Sequence, residues 1–182
     1  MNNAEPSLVQ IRDSAIGFAH TAGSILQSHF GNVGTVRAKS DNKSDIVSQV
    51  DTESEEYLRT AIKKQYPGHG ILGEEGTEEQ PDGSGFLWVL DPLDGTLNYV
   101  NGLPIYSVSI GVLHHGVPEV GCIWVPWPGV ADGVIFSACK GQGAFKDDEP
   151  ISVQSDPVPQ PAHLNIFHRD FRLHYLRNAG SK

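Results

Sequence analysis

The stretch Phe86-Leu87-Trp88-Val89-Leu90-Asp91-Pro92-Leu93-Asp94-Gly95-Thr96 constrains this chain more than any other. Its apolar opening fits a short strand covered on both faces. Pro92 has no N–H to give to a ladder, which predicts that the strand ends there. Asp91 and Asp94 flank the Pro92-Leu93 pair, a spacing that can turn both carboxylates and the Leu93 carbonyl toward one point. Hard divalent cations take oxygen clusters of this kind. Gly95 permits close approach of the backbone to a ligand, Thr96 adds a hydroxyl, and a helix starting here would aim its first N–H groups at an anion. Asp-Pro and Asp-Gly pairs are also ordinary turn formers, so the dipeptides alone read as a plain turn, and it is the longer run that points to a site. Metal carboxylates beside an anion-binding turn suggest hydrolysis of a phosphate ester.

Around this stretch, periodicity predicts a mixture of helices and strands. Leu8, Ile11, Ala15, Phe18, Ala22 and Ile25 recur at steps of three and four, the stripe of an amphipathic helix that Pro6-Ser7 would open and Gly31 would close. The polar, basic segment 34–42 reads as a loop or hairpin edge. A second helix follows Asp45–Asp51, with Asp51 or Thr52 as its cap, acidic residues in its first turn, and Lys63-Lys64 before the stop at Pro67-Gly68. Residues 70–76 read as a short strand ending in Glu74 and Glu75, and residues 77–84 as a polar loop. Beyond Pro104 the pattern turns strand-like. Alternation over Tyr106–Val112, a turn at His114-His115-Gly116 and a return over Val117–Val125 predict a hairpin, with further strands over 133–138 and from Ala144. Trp124 and Trp127 read as rim or packing residues. His20, His29, His114 and His115 read as surface or turn residues rather than ligands.

Composition narrows the function. The chain has 182 residues, 38% hydrophobic and 19% charged, enough for one domain with a real core. No apolar run approaches the length of a membrane span, and the N-terminal residues lack a signal-peptide pattern, so we expect no membrane partner and a cytoplasmic location. A net charge of −9 argues against nucleic acid, whose binding rests on Lys and Arg. It does not argue against a small phosphate ester, since a bound cation inverts the local field of a carboxylate cluster. Cys122 and Cys139 are too few for a disulfide framework and read as buried, inert thiols.

Three motifs in order carry a family resemblance. Trp88 to Tyr99 resembles the first signature of the inositol monophosphatase family, the lithium-sensitive, magnesium-dependent phosphatases; Gly73-Glu74-Glu75 resembles its Gly-Glu-Glu motif, and Asp45 to Asp51 its earlier Asp-containing stretch. The resemblance implies Mg²⁺ ligands at Glu74, Asp91, the Leu93 carbonyl and Asp94. It implies catalytic roles for Glu74, Thr96 and Asp51, the last orienting the Thr96 hydroxyl that handles the attacking water. It also implies phosphate binding by Gly95, Thr96 and Asp94. The implied fold is α+β, helices layered on a mainly antiparallel sheet, the N-terminal αβ unit of the inositol monophosphatase and sugar phosphatase-like fold. Residues 1–153 would form the metal-binding αβ domain, and 154–182 a Pro-rich linker and the start of an incomplete second subdomain. The family's second signature, a Trp-Asp pair, does not occur: Trp88, Trp124 and Trp127 precede Val89, Val125 and Pro128. We therefore expect the N-terminal part of an enzyme acting on a small phosphate ester, first inositol monophosphate, and homodimeric when complete. Histidinol phosphate is the alternative substrate. A truncated, non-catalytic binding module is the alternative of another kind.

Overall fold

A computed structural model describes residues 5–31, 36–38, 46–74 and 79–153. Met1–Ile151 is one compact unit and Ser152–Lys182 a second. Helix α1 (Leu8–His29) opens with a reciprocal cap: the Gln10 N–H donates to Ser7 Oγ at 3.3 Å and the Ser7 N–H to Gln10 Oε1 at 2.9 Å, satisfying two donors that a helix start leaves outside its ladder. Its stripe of Ile11, Ala15, Phe18, Ala19, Ala22, Gly23 and Leu26 is buried. Helix α2 (Gln49–Gln65) buries Val50, Leu58 and Ile62 and carries Lys63 and Lys64 in its last turn. It starts before Asp51, which is therefore not its cap but a buried residue of its first turn.

Strands β1 (Val36–Ala38) and β2 (Ile46–Ser48) make a small antiparallel ribbon. The main sheet contains β3 (Gly70–Leu72), β4 (Phe86–Asp94), β5 (Ser107–His114), β6 (Val117–Trp127), β7 (Val130–Cys139), β8 (Gly143–Lys146) and β9 (Glu149–Ile151), in sequence order across the sheet. Among the described strands of this sheet only β3 and β4 run parallel; the rest form an antiparallel meander. The fold class is α+β, as the sequence leads one to expect. The β5–β6 hairpin turns at His115 and Gly116, with φ of 49° and 79°, the left-handed pair that matches the twist of adjoining strands.

Both helices pack on one face of this sheet. Along β4, Phe86, Trp88 and Leu90 are buried while Leu87 and Val89 are half-buried. The expectation of a strand covered on both faces is thus corrected: a strand in an antiparallel meander needs one apolar face, and β4 alternates accordingly. Nor does Pro92 end the strand, which runs on to Asp94. On the helix-covered face Phe18 meets Trp88 at 5.9 Å between ring centroids, and Trp124 is fully buried, its indole donating to the Asp132 carbonyl at 2.8 Å. Trp124 is thus a core residue, whereas Trp127 is exposed beneath Lys146. Cys122 and Cys139 are buried and unbonded to each other, and burial pushes the Cys122 thiol up to about 12.

Helix α1 reaches the sheet closely because Gly23 has no side chain: a Cβ there would overlap the Trp124 indole. Gly23→Ala gains helix propensity of about 1 kcal/mol but must displace a hydrogen-bonded core tryptophan. We expect a net loss of about 1–3 kcal/mol in urea unfolding; a stabilised variant would show that the α1–β6 contact is loose.

Candidate metal and phosphate site

The carboxylates of β4 owe their placement to a bulge. Asp91 pairs with Ser109 and Asp94 with Ser107, so the register shifts by one residue between them. In a regular strand, residues three apart point to opposite faces. The extra residue restores the parity, and Asp91 and Asp94 join Ser109 and Ser107 on the face away from the helices. Ser107 Oγ donates to Asp94 Oδ2 at 3.1 Å. Asp94 is exposed and Asp91 half-buried, while Pro92 and Leu93 sink into the protein.

The turn after the strand is built around Gly95. Its φ of 85° lies in the left-handed region, and a Cβ would stand 2.8 Å from the Ile105 carbonyl oxygen, so glycine is needed on both counts. Helix α3 (Thr96–Val100) follows. The Asn98 and Tyr99 N–H groups donate to the Gly95 carbonyl at 2.8 and 3.1 Å, which leaves the N–H groups before them outside the helical ladder. Contacts that hold this short helix include Tyr99 OH donating to the Leu26 carbonyl at 2.6 Å, the Tyr99 ring meeting Tyr106 and Phe30 edge-on, and Asn98 Nδ2 donating to the Ile105 carbonyl. Thr96 Oγ1 donates to the Leu93 carbonyl at 2.9 Å. Its proton is thereby directed to Leu93 rather than to Asp51, the acceptor implied by the family resemblance. Asp51 lies in the first turn of α2, whose next turn touches the bulge: Ser54 Oγ donates to the Pro92 carbonyl at 3.2 Å.

Glu74 comes from the neighbouring strand. Leu72 pairs with Val89 in the parallel register, and Glu74 and Asp91 each lie two residues further on. The register thus carries both carboxylates to the same end of adjacent strands. Gly73, before Glu74, is buried, and a side chain there would collide with the Glu55–Arg59 ion pair, whose Arg59 Nε meets Glu55 Oε1 at 2.8 Å. The same Arg59 and Lys63 also hold Glu79, at 3.4 and 2.6 Å. Sequence reading missed this support. The Glu55–Arg59 spacing of four on a helix was its available signal; Ser54 and Ser107 offered none.

Among the described residues no three His, Cys, Asp or Glu side chains converge as a closed metal cluster. The donor set is nonetheless all oxygen, and magnesium is usually held by one or two carboxylates together with waters and substrate phosphate rather than by a complete protein cage. The residues present fit that pattern. Asp45, Glu75 and the segment 154–182 with its histidines lie outside the described residues.

Comparison with known proteins agrees with this architecture. The model of the inositol monophosphatase family matches residues 7–176. The chain is 38% identical over 138 residues to a protein of Aquifex aeolicus named fructose-1,6-bisphosphatase/inositol-1-monophosphatase, covering 76% of this chain and 50% of that one. It is 33% identical over 141 residues to a histidinol-phosphatase of Chlorobaculum parvum, covering 78% and 52%. The crystal structure of the extragenic suppressor protein suhB from Bartonella henselae superposes with a TM-score of 0.73 at 30% identity, covering 80% of this chain and 55% of that one. The chain spans about half the length of these relatives. With the bulged Asp91–Thr96 motif, the layered fold and the family pattern all coinciding in it, the chain belongs to the inositol monophosphatase family.

Proposed function

We propose that this chain serves the Mg²⁺-dependent hydrolysis of a small polyol phosphate, with inositol monophosphate as the first substrate. The observation that carries this reading is the bulge, which sets Asp91 and Asp94 on one face beside the Gly95–Thr96 turn. Glu74, Asp91, Asp94 and the Leu93 carbonyl would hold the magnesium, which when bound supplies a Lewis acid and a water of lowered pKa. The remaining work falls to the chain's own groups. The Gly95 and Thr96 N–H groups bind phosphate oxygens, aided by their place before the α3 ladder. The Thr96 hydroxyl turns from the Leu93 carbonyl to orient the attacking water, with Asp51 to receive its hydrogen bond and Glu74 nearby as proton acceptor. Attack is in line with the leaving oxygen, and no covalent phosphoenzyme is needed.

Substrate choice rests on the run Asn98 to Pro104, which is closest in type to the inositol monophosphatase branch. Its support is the higher identity to the relative named fructose-1,6-bisphosphatase/inositol-1-monophosphatase, 38%, than to the one named histidinol-phosphatase, 33%. A second reading draws on the face of the sheet that the helices among the described residues leave open. Gly111, Gly121, Ala138 and Ala144 stand side by side across four strands and floor a 340 Å³ trough beside Ile123 and Ile151, both more than 40% exposed. An apolar face of this kind suits association with a second copy.

Phosphate release from inositol monophosphate and from histidinol phosphate tests the first reading. We expect Mg²⁺-dependent turnover, faster on inositol monophosphate and cut about 100-fold or more in Asp94→Asn with the circular dichroism spectrum unchanged. Equal activity in the variant would remove Asp94 from the site. For the second reading, sedimentation velocity should give a mass that rises with concentration and falls back to the monomer's in Ile123→Lys. A monomer at every concentration would dismiss it.

A further inference from the structure

The parallel pair β3–β4 has a clasp outside the proposed metal site. Trp88, fully buried on β4, donates its indole N–H to His69 Nδ1 at 2.9 Å. A ring nitrogen that accepts is unprotonated, so the imidazole is neutral and carries its proton on Nε2. His69 is itself stacked between Tyr66, at 4.7 Å and 15° between planes, and Phe86, at 4.8 Å and 22°. The stacks hold the imidazole along its normal and the hydrogen bond holds it in its plane. His69 directly precedes β3, in which Gly70 pairs with Leu87 and Ile71 with Trp88. A strand of three residues has few ladder bonds with which to hold its own register, and its outer edge is met only by the bridge of Ile71 to Glu79 among the described residues.

We propose that His69 is a positioning residue: by accepting the hydrogen bond of the Trp88 indole N–H it sets β3, which leads to Glu74, against β4, which ends in Asp91 and Asp94. The consequence for metal rests on the reading of those carboxylates given under the proposed function; the clasp itself does not. Burial opposes a charge on His69 more than any other influence, and His114 acts in the same direction, whereas Asp82 and Glu5 favour the charge. The Lys63 ammonium bonds the His69 carbonyl rather than the ring. The balance lowers the pKa of His69. Protonation would remove the acceptor and place a cation between aromatic rings. Because the folded value lies below the unfolded value of about 6.5, the clasp contributes fully above that pH. Its contribution is lost as pH falls through the folded value.

Two variants separate the parts of this role. His69→Asn keeps an acceptor but does not titrate; His69→Phe keeps the stack but has no acceptor. The readouts are the Trp88 indole N–H resonance, assigned with Trp88→Phe, amide exchange at Ile71 and Leu72, and affinity for Mn²⁺ alone. In the parent chain the indole resonance should shift as pH drops below about 6.5, with faster exchange in β3 and a loss of Mn²⁺ affinity beyond that of His69→Asn. His69→Asn should show no such shift. At neutral pH His69→Phe should displace the resonance, open β3 to exchange and weaken Mn²⁺ binding about tenfold. An unchanged Trp88 resonance and unchanged β3 exchange in His69→Phe would overturn the clasp. Normal Mn²⁺ affinity with β3 opened would overturn its positioning role. If His69→Phe fails to fold, the parent and His69→Asn compared across pH decide the same question. A parent chain that does not bind Mn²⁺ at all would defeat the proposed function, while the resonance and the exchange would still decide the clasp.

Discussion

Strand β4 carries one residue more than β5 between Asp91 and Asp94, and this irregularity organises the site end of the molecule. Without it, the two aspartates would project from opposite faces of the sheet. One would point into the layer occupied by Phe18, Trp88 and the helices, where an unpaired charge is costly. With the bulge, both carboxylates stay on the face away from that layer, and Pro92 and Leu93 take the inward positions. Pro92 suits this place because the strand locally leaves its ladder there, and bulges are among the positions a proline tolerates. The Gly95 turn then begins where the ladder resumes, and Thr96 closes on Leu93.

The bulge is held from several directions. From the helix layer, Ser54 bonds the Pro92 carbonyl. From β5, Ser107 bonds Asp94. Beyond the turn, Tyr99 is anchored on the end of α1 through the Leu26 carbonyl, which ties α1 to the short helix α3. Glu74 arrives on a separate strand, and its placement depends on how β3 sits against β4. The candidate site therefore joins one locally determined part, residues 91–96, to one determined by long-range packing.

This division explains what was legible in the sequence. The α1 stripe, the hairpin at His115-Gly116 and the run from Asp91 to Thr96 are local patterns, readable from period, turn chemistry and motif. The one-sided burial of β4 was not readable from Phe86–Leu90, because a continuous apolar run looks the same whether one face or both is covered. The start of α2 was misplaced because Asp51 is a strong capping residue. Its carboxylate also suits the first turn of a helix, so the residue type could not tell the two positions apart. Pro92 looked like an end because an intact ladder excludes proline, and the bulge that admits it depends on the partner strand. His69, Glu55, Arg59 and Ser107 could not be seen as parts of one arrangement, since their neighbours come from distant segments.

Whether β3 and β4 present one oxygen site for a divalent cation is decided by adding Mn²⁺ to the ¹⁵N-labelled chain and recording which amides broaden first. Asp91, Leu93, Asp94, Gly95 and Thr96 should lose intensity together with Gly73 and Glu74, at the lowest metal concentration. Asp94→Asn should abolish the effect at that concentration. Broadening centred instead on Glu5, His114 and His115, or loss at Asp91–Thr96 without Glu74, would contradict a shared site at the ends of the two strands.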